Sequence, residues 1–327
     1  MAETVHERAL RNLGTLRDTY VYLEPNRFKA KAYADIIERV EALPKGLCAL
    51  EDVKSVTKGK STAATLEHIV ATNTDVPEVV AVKEDLLAYN RVSEIHGVGP
   101  AKARELVLTH NLTTIDALRE RGEEMLNDVQ KRGLKYYEHT RLRIPREEMS
   151  VHHRFVSAIL ADLEDGARRF SFLGSFRRQL ESSGDIDILL SAPTNCLRPV
   201  IQAFHDTGYL DHSEAFAYGK HKFMGVCKLP DHDTWRRLDV LYSPPSEFPF
   251  ALLYFTGSKE FNTQMRAYAL TKGYSLNEKG LTSTTPGAGP VAHSIDDERQ
   301  IFEFLGLPYV SPPDRNKNTA RYFQTRM

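Results

Sequence analysis

Apolar positions recur every three or four residues through the first 85 positions of the chain. Phe28, Ala32, Ile36 and Val40 fall at helical spacing, with Arg27, Lys29, Lys31 and Arg39 on the other sides. This pattern predicts a helix closed by Pro44 and Gly46, then a shorter helical run near 61–69 and a linker near 72–77. A second helical block reaches about residue 145. From about residue 154 the rhythm changes to short β-rich runs at 169–173, 185–191, 222–229 and 236–242, bounded by Gly and Pro and interrupted by a helix near 196–207. Pro244-Pro245 marks the last boundary, followed by a helical pair and a mixed tail. The expectation is an α+β chain in four segments: a helical domain over 1–85, a helical block over 86–148, a mixed β-sheet over 149–243 and a helical and mixed segment over 244–327.

Composition narrows this picture. The 327 residues suffice for two or three domains, and 41% hydrophobic with 27% charged residues is ordinary for a water-soluble chain. No apolar run approaches membrane-spanning length, and Met1-Ala2-Glu3-Thr4 does not open a signal peptide. An intracellular setting is expected, nuclear, viral or cytoplasmic. Cys48, Cys196 and Cys227 are far apart and odd in number, which suits a reducing compartment and makes no zinc motif. The net charge is −1, so nucleic acid binding has to come from local basic patches.

The chemistry concentrates in Gly174-Ser175-Phe176-Arg177-Arg178-Gln179-Leu180-Glu181-Ser182-Ser183-Gly184-Asp185-Ile186-Asp187-Ile188-Leu189-Leu190. A strand sends alternate side chains to one face, so Asp185 and Asp187 point the same way. Two neighbouring carboxylates repel, and divalent cations remove that repulsion. The upstream Gly-Ser turn exposes N–H groups that suit a phosphate. In Arg236-Arg237-Leu238-Asp239-Val240-Leu241, alternation puts Arg237, Asp239 and Leu241 on one face. If the two strands are neighbours, three aspartates meet. Such a trio suits in-line displacement at an α-phosphate with two Mg²⁺ (or Mn²⁺) ions. A lone Asp-x-Asp is more often surface charge. Here the Ser-Ser-Gly turn has no evident packing role, which favours the catalytic reading. Gly97-Val98-Gly99-Pro100 followed by a helix suggests a helix-hairpin-helix whose N–H groups hold a DNA phosphate without reading sequence, with Lys102 and Arg104 adding charge.

These motifs resemble the family X DNA polymerases of the nucleotidyltransferase superfamily, in their beta-type form. The resemblance continues through Arg143-Ile144-Pro145-Arg146-Glu147-Glu148-Met149, Lys222-Phe223-Met224-Gly225-Val226-Cys227 and Leu252-Leu253-Tyr254-Phe255-Thr256-Gly257-Ser258. It also covers Phe261-Asn262, Met265-Arg266-Ala267 and Asn277-Glu278, and ends near Pro313-Asp314-Arg315. It implies a lyase-like N-terminal domain, a helix-hairpin-helix thumb-like subdomain, a nucleotidyltransferase palm and a C-terminal, fingers-like nucleotide-selection subdomain. The implied function is template-dependent gap filling in base excision repair, by a monomer acting on gapped or nicked DNA and dNTP, with no membrane partner.

The resemblance further implies individual roles. Asp185, Asp187 and Asp239 hold the metals. Ser175, Arg178, Ser183 and Gly184 contact the β- and γ-phosphates, and Arg146 is a further triphosphate-binding arginine. Tyr254, Phe255 and Gly257 lie against the sugar, favouring dNTP over rNTP. Asn262 meets the minor-groove edge of the incoming base and Arg266 the template. Carbonyls of Ser93, Ile95 and Val98 bind Na⁺ or K⁺ beside Gly97 and Gly99. Lys222, Arg237 and Lys220 lie near the primer or template backbone.

The chain departs from the family pattern in three places. Lys259 stands where close relatives carry an aspartate, and Leu241 where an arginine can compete for the second metal-binding aspartate. In the N-terminal domain, the lyase nucleophile position falls on Thr65, the auxiliary lysine position on Ser61 and the tyrosine position on Lys31. Threonine cannot form a Schiff base, so 5′-deoxyribose-phosphate lyase activity is expected to be weak or absent. Lys54, Lys58, Lys60 and Lys31 then remain as 5′-phosphate contacts or substitute nucleophiles. A nucleotidyltransferase of another kind and a decayed DNA end-binding module are the competing readings. Asn262 with Arg266 argues against the first, and the intact aspartate trio against the second.

Overall fold

The structure is a computed structural model that describes residues 3–163, 169–285, 287, 289, 295–316 and 322–323. The chain forms two compact units, Met1–Lys135 and Tyr136–Met327.

The first unit is helical. Helices α1 (Val5–Asp18), α2 (Arg27–Glu41), α3 (Leu50–Val56), α4 (Lys60–Thr72) and α5 (Pro77–Ser93) enclose a core that includes Leu13, Tyr33, Ile36, Val40, Leu66 and Ile69. Local chemistry sets the ends. Thr4 and Glu7 form a capping box on α1, Asn26 caps α2, and Asn73 stops α4 in a left-handed conformation. Two of the expected apolar positions lie outside the core: Phe28 is 88% exposed and Ala32 is exposed too, while Tyr33 is buried. The buried stripe of α2 is Tyr33, Ile36 and Val40. Phe28 lies five residues before Tyr33, and at roughly 100° per residue that puts it on another side of the helix.

After α5 the chain turns through the glycine hairpin into the short helices α6 (Pro100–Arg104) and α7 (Ile115–Ala117), and the unit closes with α8 (Asp128–Lys135). Gly97 has φ +84°, the left-handed region that glycine enters without penalty. Its carbonyl accepts from Gln130 Nε2 at 3.0 Å, and Ile95 and Val98 are buried beneath it. The boundaries expected at 85 and 148 both fall inside helices, the first in α5.

The second unit opens with α9 (Tyr137–Thr140), β1 (Ile144–Pro145) and α10 (Arg146–Ala161), which contains the expected boundary at 148. It continues through β2 (Arg169–Phe172), α11 (Gly174–Arg177), β3 (Ser182–Ser183), β4 (Ile186–Ser191) and α12 (Leu197–Asp206). Then come β5 (Ala217–Tyr218), β6 (Lys222–Cys227), β7 (Arg236–Tyr242), α13 (Phe248–Thr256) and α14 (Lys259–Thr271). A hairpin of β8 (Tyr274–Asn277) and β9 (Gly280–Ser283) precedes α15 (Glu298–Phe304). The sheet order is β2-β4-β7-β6-β5, with β4 and β7 parallel and the other pairs antiparallel.

The two sheet faces differ in a way the alternation predicts. Ile186, Ile188, Leu190, Leu238 and Val240 enter the large core with α10 and α12. Leu189 and Leu241 face the other way, into a small cluster with Leu173, Phe248 and Ala251. This second face is therefore apolar where α13 covers it. The next alternate positions along the same strands, Asp187 and Asp239, lie at the edge of that cover.

Beneath the sheet lies a buried polar chain. Arg236 forms a bidentate pair with Glu148, both bonds 2.7 Å. His152, 1% exposed, shares a hydrogen bond between Nδ1 and the Tyr209 hydroxyl (2.7 Å), and its Nε2 is 3.6 Å from Glu148. Burial pushes His152 down to about 4. The folded protein keeps it neutral while the unfolded chain takes a proton near its usual value of about 6.5. Stability is therefore present above about pH 6.5 and is lost as pH falls toward 4. Between pH 7 and pH 5 the wild type is expected to lose roughly 2 kcal/mol that a His152→Gln variant does not, as read by urea unfolding at the two pH values. Parallel losses in the two proteins would contradict it.

Candidate active site

The register of the parallel pair brings the aspartates together. Ile186, Asp187 and Ile188 lie opposite Leu238, Asp239 and Val240. Asp185 immediately precedes β4 and accepts from Arg237 Nη2 at 2.6 Å. Asp239 lies 3.3 Å from Lys222 Nζ, from the neighbouring strand β6. Lys222 and Arg237, expected beside the DNA backbone, are thus drawn to the carboxylates, the nearest opposite charge on their own face. Asp187 has no ion-pair partner among the described residues. Burial, then the charges of Asp185 and Asp239, raise it to about 7.

The chain folds tightly over Asp187. Gly174 adopts φ +53°, and a Cβ on it would lie 2.5 Å from Asp187 Oδ2. Leu173 N–H also donates to the Asp187 carbonyl at 2.9 Å. Among the described residues no three His, Cys, Asp or Glu side chains form a closed metal-ligand set. Mg²⁺ takes one or two carboxylates plus substrate oxygens rather than an all-protein cage. The cluster of hard oxygen donors, one of them reluctant to ionise alone, fits such an ion.

The loop above is knitted from both sides. Ser175 Oγ donates to Ser183 Oγ at 2.9 Å, and β1 pairs with β3. Arg146, expected at the triphosphate, is committed elsewhere. Its guanidinium donates to the carbonyls of Phe176 (3.0 Å) and Leu180 (3.4 Å) and stacks on the Phe176 ring. It is a clasp on the loop, fastening the Phe176 carbonyl, which also accepts from Gln179 N–H at 3.0 Å, to the Leu180 carbonyl four residues on. Arg143 occupies the exposed side instead. It donates to the Ser182 hydroxyl (3.1 Å) and carbonyl (2.6 Å), and a Cβ on Gly184 would lie 3.4 Å from its Nη1. The sequence quoted Arg143 within a motif but carried no signal that it, rather than Arg146, lies on this side.

The C-terminal part supplies the opposite wall. Helix α13 ends at Gly257 (φ +71°), and the Ser258 hydroxyl caps α14 by accepting from Phe261 N–H at 3.3 Å. Tyr254 and Phe255 meet edge to face at 5.0 Å. Asn262 Nδ2 donates to the Tyr254 carbonyl at 2.6 Å, and Asn262, Arg266 and Asn277 border one narrow cleft. Lys259 is exposed in the first turn of α14. Leu241 is buried in the small cluster under α13.

A group of residues that periodicity could not reveal ties these walls together. Arg177 forms a bidentate pair with Glu298 and donates to Thr256 Oγ1 at 2.6 Å. Glu298 also accepts from Arg315, which is fully buried. Arg178 reaches Asn316 and the Thr256 carbonyl. The partners of Arg177 and Arg178 are 78 to 138 residues away in sequence, a separation at which no local pattern operates.

In the first unit, Gly97 and Gly99 are exposed at the hairpin as expected, whereas the flanking cations are engaged. Lys102 pairs with Glu105 at 2.8 Å, and Arg104 donates to the Tyr22 carbonyl at 2.7 Å. Arg104 is part-buried, so its charge is spent on the unit's own backbone. The Ile95 carbonyl accepts from Val98 N–H at 3.0 Å, closing the hairpin turn, while Ser93 is the last residue of α5. A groove of about 340 Å³ beside the start of α4 is lined by residues including Asp35, Arg39, Lys58 and Lys60. Lys31 and Thr65 lie outside this lining, and the Thr65 hydroxyl is bonded to the Ser61 carbonyl.

Three sequence profiles match the chain: "DNA polymerase beta palm" over 143–245, "DNA polymerase beta thumb" over 251–316 and "Fingers domain of DNA polymerase lambda" over 91–141. Among curated proteins, DNA polymerase lambda of Rattus norvegicus is 29% identical over 312 residues, covering 90% of this chain and 53% of the relative. DNA polymerase lambda of Arabidopsis thaliana is 26% identical over 325 residues, covering 93% of this chain and 60% of the relative. The chain belongs to the family X DNA polymerases. It spans little more than half the length of these family X relatives. The family X palm profile spans all three aspartates and the 174–184 loop. The profile names call the helix-hairpin-helix block fingers and the C-terminal block thumb, the reverse of a naming by nucleotide selection.

The raised Asp187 gives the family X site a measurable signature. In the folded protein this group holds a proton up to about pH 7, whereas the unfolded chain releases it near pH 4. Its contribution to stability is present below pH 4 and is lost as pH rises through 7. An Asp187→Asn variant is expected to be roughly 1–3 kcal/mol more stable than wild type at pH 8 in EDTA, by urea unfolding. Equal or lower stability would show that the carboxylates do not repel.

Proposed function

We propose that the chain is a template-dependent, gap-filling DNA polymerase of repair type. It transfers a nucleotide from dNTP to a primer 3′-hydroxyl. The observation that carries the reading is the register placing Asp187 opposite Asp239, beneath the Ser175–Ser183 loop and next to Asp185. Nucleotidyl transfer makes a bond from the 3′-oxygen to the α-phosphorus and breaks the α–β bridge. Pyrophosphate leaves, and Asp239 is placed to accept the hydroxyl proton. Asp185, Asp187 and Asp239 would hold two Mg²⁺ (or Mn²⁺) ions, which supply Lewis-acid activation and neutralise the triphosphate.

The chain's own groups do the rest. Ser175, Ser183, Gly184, Arg178 and Arg143 bind the β- and γ-phosphates through hydroxyl, backbone and guanidinium donors. The Gly257 turn packs on the sugar, where backbone leaves no room for a 2′-hydroxyl. Asn262, held by the Tyr254 carbonyl, and Arg266 address the base pair. The glycine hairpin grips a DNA phosphate, with a monovalent cation held by the Ser93, Ile95 and Val98 carbonyls. On binding DNA, Lys222 and Arg237 exchange their aspartates for the backbone. Substrates are gapped or nicked DNA and dNTP, handled by a monomer inside the cell, where Cys48, Cys196 and Cys227 remain free. No helix among the described residues is long and apolar enough to cross a membrane.

Wild type is expected to extend a gapped primer with Mg²⁺ and four dNTPs only opposite the correct template base. Asp239→Ala should lower kcat about a thousandfold or more, the scale of losing several kcal/mol of metal-assisted stabilisation. Full activity in that variant refutes the site, and untemplated addition refutes the template-dependent reading.

The N-terminal groove is a 5′-phosphate site with weak or no lyase chemistry, since threonine stands at the nucleophile position. Borohydride treatment with an incised abasic site should trap little covalent adduct. A strong adduct that disappears in Lys60→Ala would overturn this and make Lys60 the nucleophile.

A further inference from the structure

Arg178 is held at two of its three side-chain nitrogens. Its Nε donates to Asn316 Oδ1 at 2.8 Å and its Nη1 to the Thr256 carbonyl at 2.6 Å. Asn316 is itself fastened, because its Nδ2 donates to the Arg178 carbonyl at 3.0 Å and to the Pro313 carbonyl at 2.8 Å. One amide thus grips both the main chain and the side chain of the same arginine. The guanidinium is planar and rigid, so fixing Nε and Nη1 fixes the direction of Nη2. Nη2 has no protein partner among the described residues. A Cβ on Gly257 would lie 3.0 Å from Nη1, so the group is also backed by the Gly257 turn. Burial lowers the Arg178 pKa, opposed by the charges of Asp187 and Glu260.

We infer that Asn316 is a positioning residue for the nucleotide: it aims the unpaired nitrogen of Arg178 at the triphosphate. The inference rests on the proposed reading of the loop as the dNTP site. Asparagine suits the task because it offers an acceptor and a donor in one plane. Alanine would free Nε and let the guanidinium swing about its remaining bond to Thr256. Aspartate would keep the acceptor, lose both donations and set a negative charge against the arginine that should attract phosphate.

The test is steady-state synthesis on a gapped primer by wild type, Asn316→Ala, Asn316→Asp, Arg178→Lys and the double variant Arg178→Lys/Asn316→Ala. Asn316→Ala should raise KM for dNTP about tenfold, and raise the inhibition constant of inorganic pyrophosphate by a similar factor. Its kcat should change less than threefold, with gapped-DNA affinity and melting temperature close to wild type. Asn316→Asp preserves side-chain volume and should show at least as large a KM effect, so it carries the test if the alanine variant does not fold. In the Arg178→Lys background, Asn316→Ala should add nothing to KM. Additive effects, an unchanged KM, or a fall in kcat alone would overturn the inference. A wild type that extends no primer would instead overturn the polymerase reading, so the two failures are distinguishable.

Discussion

Three carboxylates share one end of one sheet face, and most of the second unit is arranged to tolerate that. The parallel register puts Asp187 against Asp239, and Asp185 stands two residues from Asp187. Like charges at this separation, partly removed from water, destabilise the fold. Arg237 and Lys222 answer two of them, and the third is raised toward neutrality. Gly174 leaves room for the Asp187 carboxylate where any side chain would collide. A protein selected only for stability would replace such a trio.

Arginines cluster around the 174–184 loop beside these carboxylates. Guanidinium groups fasten the carbonyls of this short segment. Arg146 binds the Phe176 and Leu180 carbonyls from below, and Arg143 binds Ser182 from the exposed side. Adjacent Arg177 and Arg178 meet at Thr256, on its hydroxyl and its carbonyl, and diverge beyond it, one to buried Glu298 and the other to Asn316. Glu298 lies between two cations, so removing it would leave a buried Arg315 uncompensated. The 174–184 loop and the Gly257 turn are therefore parts of one hydrogen-bonded assembly.

The first unit uses charge differently. With a net charge of −1 the chain has no broad basic field, and several cations that look available in the sequence serve internal contacts. Arg104 holds the Tyr22 carbonyl and Arg39 the Val56 carbonyl. What stays open in this unit is local: the exposed hairpin glycines and the groove beside α4.

Local patterning was enough for strands β4 and β7, the face that Asp187 and Asp239 share and the helix break at Gly257, because alternation, glycine chemistry and capping act over a few residues. Strand 236–242 has the expected limits, and Leu238 and Val240 lie on the side opposite Asp239. Sequence patterning overestimated Phe28, since spacing identifies a helix face without saying which partner covers it. Only the tertiary structure decided that the two aspartate strands are direct neighbours, that Arg146 is a clasp while Arg143 is exposed, and that Asn316 grips Arg178. Each of these depends on a bond between residues tens to more than a hundred positions apart. Over such distances the chain's path through space, and no local periodicity, determines which donor meets which acceptor.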